Sequence, residues 1–343
     1  YDIADFGGWD ITEAAASAGA IMDLKPYLDA DEDLKAGVGV CYDQNLTEDG
    51  KIYTVREQIE GVGFWYNQAL FEQAGAKTPD QWTSWADFDE AVDQLVAAGI
   101  SPFSLNAGWP TNILAAGYSQ RDEASREFYA NGGSTESFND PSFIGTMGFL
   151  QTNVLQKIDA AHFGPGGDDD NQYTEDFISG DSAMLFNGVW ATGDFADCEA
   201  GIENIKPAVF PTDDGQTAGL LSGGCGFVVS DKLSDEQKDI CIEFIKYMTS
   251  PEIAARIVEN GIGMAPSTTI DYSSVESEVE SPEGKLLVQA CNLLQGTDIQ
   301  VLGWGNTFGD MEGEIQNKYA GLKDGSKTPE DVANELDQVL AAE

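Results

Sequence analysis

Five tryptophans stand where the chain changes direction, and their placement defines the chemistry open to it. Trp9 follows Gly7 and Gly8 after a short apolar run, and Trp65 and Tyr66 lie where a strand pattern passes into a helix pattern. Trp109 precedes Pro110 at a helix start, Trp190 closes the stretch "MLFNGVW", and Trp304 stands between glycines in "LGWGN". In α/β sheets, ligands gather outside the carboxyl ends of the strands, where the chain turns into helices. Indole rings there form flat apolar platforms, and neighbouring Asn, Asp and Glu supply directional hydrogen bonds. That mixture suits a sugar, whose ring has an apolar face and a rim of hydroxyls. The plain alternative for each tryptophan is packing in a core. Trp190 is the most pointed of the set, because Asn187 and Gly188 precede it at a strand end. Trp65 and Tyr66 alternate, so at most one should face a cleft, and Trp82 and Trp85 flank a helix start and read as packing.

The familiar catalytic patterns are missing. There is no G-x-S-x-G elbow, no H-E-x-x-H pair and no phosphate-binding G-x-x-x-x-G-K-[ST] loop. His162 is the single histidine, and the five cysteines at 41, 198, 225, 241 and 291 form no C-x-x-C pair. Neither a zinc site nor a paired imidazole mechanism is supported. The cysteines read as mostly free and buried, with room for one disulfide in an exported chain. "DADED" at 29–33 begins like a calcium loop, but Leu34 stands where the sharp turn needs glycine and Val40 where it needs the bidentate glutamate. Acidic residues are so abundant that no single carboxylate pair identifies a glycoside hydrolase. No catalytic residue, metal or cofactor is expected.

Sixty acidic against seventeen basic residues give a net charge of −43. Such a chain repels nucleic acid and anionic membrane surfaces. The 343 residues exceed what one core holds, since cores stop growing near ~250–300 residues. No apolar run approaches the ~18 residues of a membrane span.

The elements that must position these residues alternate between strand and helix, which means a sheet covered by helices. "YDIADF" reads as a strand and "ITEAAASAGAIMDL" as a helix, followed by a turn-rich acidic link, "LDADEDLKAG". "GKIYTVREQIEGVGFWYNQALFEQAG" reads as strand, turn, strand and a helix after Asn67. Ser84 with Asp87 resembles a capping box, and Thr328, Pro329 and Asp331 open the last helix in the same way. "GCGFVVS" fits an interior strand, and Ile240, Phe244 and Tyr247 share one face of a helix.

Four segments taken in order resemble one family. "VGFWYNQALFEQAG", "KTPDQWTSWADFDEAVDQL", "FISGDSAMLFNGVWATGDF" and "EFIKYMTSPEIAARIVENGIGMAPS" are similar to successive motifs of the extracellular solute-binding proteins of ABC importers, the sugar-binding family 1 that includes maltose-binding protein. The resemblance implies an α/β, two-lobed, periplasmic-binding-protein-like fold of type II, with a carbohydrate held in an inter-lobe cleft. The family's pattern starts earlier than this chain, so the N-terminal part of lobe one is expected to be absent from it. Residues 1–60 and 216–272 are then assigned to lobe one, and 61–215 and 273–343 to lobe two.

By the same resemblance, Trp190 is the sugar-stacking tryptophan of the "NG.W" segment, with Asn187 beside it. Glu60 matches a ligand-contacting glutamate ahead of the "YN" pair. Trp9 and Asp10 fall in the region of lobe-one contacts, although "GGW" departs from the maltose-binding pattern. Trp304 lies where paired aromatics occur in that pattern, and Gly223 and Gly224 match a "GG" that brings backbone amides to the cleft. Trp109 joins these candidates from its place before Pro110 at a helix start, not from the resemblance. The implied function is reversible binding of a mono- or oligosaccharide and its delivery to ABC permease subunits, by a monomer outside the cytoplasm, either in the periplasm or as a cell-surface lipoprotein. A binding protein for a non-sugar solute such as a polyamine, and a carbohydrate-active enzyme, are the alternatives.

Overall fold

The computed structural model describes residues 1–6, 9–47, 49–167, 171–224, 226–260, 262–267, 270–302, 304 and 307–342, and the side chains of Trp9, Asp10, Glu259 and Leu302 lie outside that description. The strands in chain order are β1 (Ile3–Asp5), β2 (Glu60–Val62), β3 (Phe64–Asn67), β4 (Ser101–Phe103), β5 (Leu105–Asn106), β6 (Phe163–Gly164), β7 (Ser182–Leu185), β8 (Ile205–Ala208), β9 (Phe210–Pro211), β10 (Thr217–Ser222), β11 (Phe227–Val229) and β12 (Ile299–Leu302). The chain divides into two compact units: residues 1–61 with 221–295, and residues 62–220 with 296–343. Among the described residues, no helix is long and apolar enough to cross a membrane.

In the first unit β1 runs antiparallel to β11, pairing Ile3 with Val229 and Asp5 with Phe227. An isolated bridge joins Val55 to Phe227. The acidic stretch after the first helix is not a link. Lys25–Ala30 and Glu32–Val38 are both helical, and the Asp31 carboxylate caps the second by accepting the N–H groups of Asp33 and Leu34. An N-cap uses the same side-chain chemistry as a turn, with a helix after it. Leu28, Leu34 and Val38 are the buried face of this pair.

The second lobe assignment of 273–343 needs correction. Helix Pro282–Gln295 belongs to the first unit, and the crossing falls after Gln295. Its buried Leu287, Val288 and Cys291 show that the helix has an inner face. Periodicity predicts such a face but not which body it packs on. Ile240, Phe244 and Tyr247 do share a face of helix Asp235–Met248, but that face is exposed while Cys241 and Ile245 turn inward.

The second unit is built on a four-stranded sheet in the order β4-β7-β3-β8. β3 runs antiparallel to both neighbours, and β4 is parallel to β7. Asn67 ends β3 and caps the following helix by accepting the N–H groups of Ala69 and Leu70. Trp82, Trp85, Phe88 and Phe210 fill the core as packed rings, in keeping with the packing role read for Trp82 and Trp85. Ser84 begins its helix with extended backbone but makes no side-chain cap. Asp87 instead accepts the N–H of Thr83 and an ion pair from Lys77 at 2.8 Å. The capping box at Thr328 and Asp331 forms as read.

Candidate functional site

The strand that leads to Trp190 ends earlier than its apolar run. β7 stops at Leu185, and Trp190 sits in 3-10 turns spanning Val189–Asp197. Three contacts make this junction. Asn187 is 6% exposed and its side-chain oxygen accepts the N–H of Gly188 at 2.9 Å. The Gly188 carbonyl accepts the indole N–H of Trp65 at 3.2 Å, and Gly188 bridges to Val62. Gly188 cannot be another residue without cost, because a Cβ there would run into the six-membered ring of Trp190. Asn187 and Gly188 therefore act by shaping the turn. Trp65 and Tyr66 are both buried, and the indole of Trp65 anchors the turn that carries Trp190.

Trp190 does not stand alone. Its ring centroid lies 5.7 Å from that of Trp109, which lies 4.8 Å from that of Trp304. Trp109 is the first residue of helix Trp109–Tyr118, and Trp304 sits in the turn after β12, so three separate segments of the second unit converge. Trp190 is 39% exposed, Trp109 half-buried and Trp304 only 3% exposed. The wall thus has one open ring, backed by two others. The Trp304 indole N–H is buried and has no acceptor among the described residues.

In the first unit, three of the residues read from the sequence meet at a polar patch. Gly224 has φ +57°, and a Cβ there would lie 2.9 Å from Nη1 of Arg56 and 3.7 Å from Oε1 of Glu60. Arg56 donates to Glu60 at 3.3 Å. The expected role of the glycine amides does not hold in this form. The Gly223 N–H is given to the Gln44 side chain, and the Gly224 N–H to Ser222 Oγ at 3.3 Å. The glycines instead let the backbone run close to Gln44, Asn45 and Arg56. Arg56, Glu57 and Asn45 were not among the residues singled out from the sequence, yet Arg56 Nε, Glu57 Oε2 and Asn45 Oδ1 are buried without partners among the described residues. The one cue was Arg56, four residues ahead of Glu60 in a chain poor in cations. Cys41 donates weakly to the Gly223 carbonyl, and burial pushes its thiol up to about 12, which makes it inert rather than nucleophilic. Cys198, Cys241 and Cys291 are likewise free and buried, and Cys225 lies outside the described residues. Trp9 and Asp10 open a helix, and their side chains also lie outside the described residues.

A two-unit α/β chain with an aromatic wall in one unit and a polar, glycine-bordered patch in the other has the makings of a solute-binding protein. Residues 1–255 match the family model for bacterial extracellular solute-binding proteins, and the chain belongs to that family. It is 28% identical over 220 residues to the multiple sugar-binding protein of Streptococcus mutans, a match covering 58% of this chain and 48% of that one. It is 26% identical over 223 residues to the sn-glycerol-3-phosphate-binding periplasmic protein of Yersinia enterocolitica, covering 62% of this chain and 48% of that one. The match therefore spans about half the length of these curated relatives. A Streptococcus pneumoniae solute-binding protein, solved in complex with the blood group A-trisaccharide, superposes with a TM-score of 0.82 at 29% identity, covering 100% of this chain and 84% of that one. The family is one of extracellular substrate-binding proteins rather than enzymes.

Proposed function

We propose that this chain is the extracytoplasmic substrate-binding component of an ABC importer, binding a mono- or oligosaccharide reversibly and delivering it to the permease without any covalent step. The observation that carries this reading is the tryptophan wall: an open indole at Trp190, backed by Trp109 and by Trp304, whose buried indole N–H has no acceptor among the described residues. A flat apolar face with a buried donor complements a pyranose better than it does a compact ion. The sugar-binding relatives point the same way.

The glycerol phosphate relative raises a second ligand class, and the polar patch argues against it. Arg56 already spends its charge on Glu60, and Glu57 lies in the same segment. A phosphate would want surplus positive charge there. Export to the periplasm or attachment at the cell surface, action as a monomer and the absence of enzymatic turnover belong to the same proposal. A thermal-shift screen against mono- and oligosaccharides, with polyamines and glycerol 3-phosphate in parallel, tests it, since a ligand that binds only the folded state raises the melting temperature. Stabilisation by a sugar is expected. Stabilisation by a polyamine or glycerol phosphate alone, or turnover of a glycan, would overturn it.

A further inference from the structure

Behind the wall lies a buried carboxylate that packing alone does not call for. Glu312, in helix Met311–Gln316, is 8% exposed. One of its oxygens accepts the backbone N–H of Phe308 at 3.2 Å, and the other accepts the Asn112 amide at 3.1 Å. Asn112 stands three residues after Trp109 on the same helix, and Phe308 four residues after Trp304. The Asn112 oxygen in turn accepts the hydroxyl of Tyr319 at 2.9 Å.

We propose that Glu312 is a positioning residue for the aromatic wall: its two oxygens tie the helix headed by Trp109 to the turn that follows Trp304, and so set the contact between those rings. The proposal rests on the reading of the wall as a ligand surface. Residues three apart share a helix face, so fixing Asn112 fixes the rotation of the helix that aims Trp109. A carboxylate can accept from both donors at once, one at each oxygen. A glutamine has one oxygen and an NH2 group, so it leaves one of the two donors facing another donor. Burying a carboxylate is costly unless its oxygens are hydrogen-bonded, and here both are.

The surroundings make Glu312 the group that titrates at this place. Burial pushes its carboxyl above the usual carboxylate range, against the pull of the Phe308 N–H, the Asn112 amide and the Thr307 N–H. The ionisable groups facing it are Tyr319 and, from helix Glu123–Ala130, Tyr129, and burial and the Glu312 charge raise both phenols far above neutrality. Arg121 reaches the same neighbourhood through Thr146, to whose hydroxyl it donates at 2.9 Å, and through the Ser142 carbonyl, to which it donates at 3.0 Å. A cavity of about 20 Å³, room for one water molecule, lies beside Asn112, Thr146, Glu312 and Tyr319.

The experiment is circular dichroism of the whole chain without ligand, reading the exciton couplet of the indoles beside the helical bands, followed by calorimetric titration with the best sugar from the screen. Glu312→Gln should stay folded by far-ultraviolet dichroism and lose most of the tryptophan–tryptophan couplet. In the wild type the couplet should fade on acidification as Glu312 becomes a donor, and in the variant it should be flat with pH. Asn112→Ser removes the other end of the tie and should weaken the couplet likewise, which keeps the test open if Glu312→Gln folds poorly. Sugar affinity should fall roughly tenfold, equivalent to about 1.4 kcal/mol. An unchanged couplet and an unchanged pH profile in folded variants would overturn the positioning role. A lost couplet with unchanged sugar affinity leaves that role standing and removes the wall from ligand binding.

Discussion

Trp190→Ala separates the two things a surface tryptophan can do. The ring is 39% exposed, and Trp109 at 5.7 Å is its aromatic partner. Losing that contact should cost the fold about 0.5–1.5 kcal/mol, the usual worth of an aromatic pair, on top of the apolar area the ring buries. The open face is a different matter. If a sugar stacks there, truncation removes an aromatic anchor from the binding surface and should cost about 1–3 kcal/mol of binding. That corresponds to a dissociation constant raised roughly 5- to 150-fold. Isothermal titration with the stabilising sugar reads the binding term, and chemical denaturation reads the folding term. A variant that binds as tightly as the wild type, while showing the modest loss of stability, would refute the stacking role and leave Trp190 a packing residue.

Gly188→Ala should act on the same ring from below. The new methyl group needs the space of the indole, so Trp190 must swing away, and sugar affinity should fall with little change in overall helix content by circular dichroism. Asp87 offers a check on stability. Its ion pair with Lys77 and the Thr83 N–H hold its carboxyl down at about 2, below the ~3.9 of an unfolded aspartate. A depressed acid stabilises the fold fully above the unfolded value and loses that contribution as pH falls through the folded one. Asp87→Asn should therefore melt below the wild type at pH 7, with the gap closing as the pH approaches 2.

The elements that could be read from the sequence were those whose cues are local. The helix start after Asn67 and the Thr328–Asp331 capping box each depend on residues within one turn of each other, and each formed. The same locality explains the misreadings. Asp31 caps a helix with the chemistry that suggested a loop, and Asp87 serves Thr83 and Lys77 in place of Ser84. Helix Pro282–Gln295 has an amphipathic pattern that belongs equally to either body, so its placement in the first unit had no mark in the sequence.

At the candidate site the division is similar. The sequence by itself determined which side chains could stack and which could hydrogen-bond, and that the Asn187–Gly188 pair had to shape a turn before Trp190. Only the tertiary structure decided that Trp109, Trp190 and Trp304, from three segments far apart in the chain, share one wall, and that Trp190 is the most exposed of them while Trp304 is buried. It also decided that the amides of Gly223 and Gly224 are spent on Gln44 and Ser222, and that Arg56 lies over Gly224. The physical reason is the range of the forces. Turn geometry and capping act over a few residues and leave local marks. Ring packing and buried hydrogen bonds such as that between Asn112 and Glu312 join residues as much as 200 positions apart, which only the packed chain brings within reach.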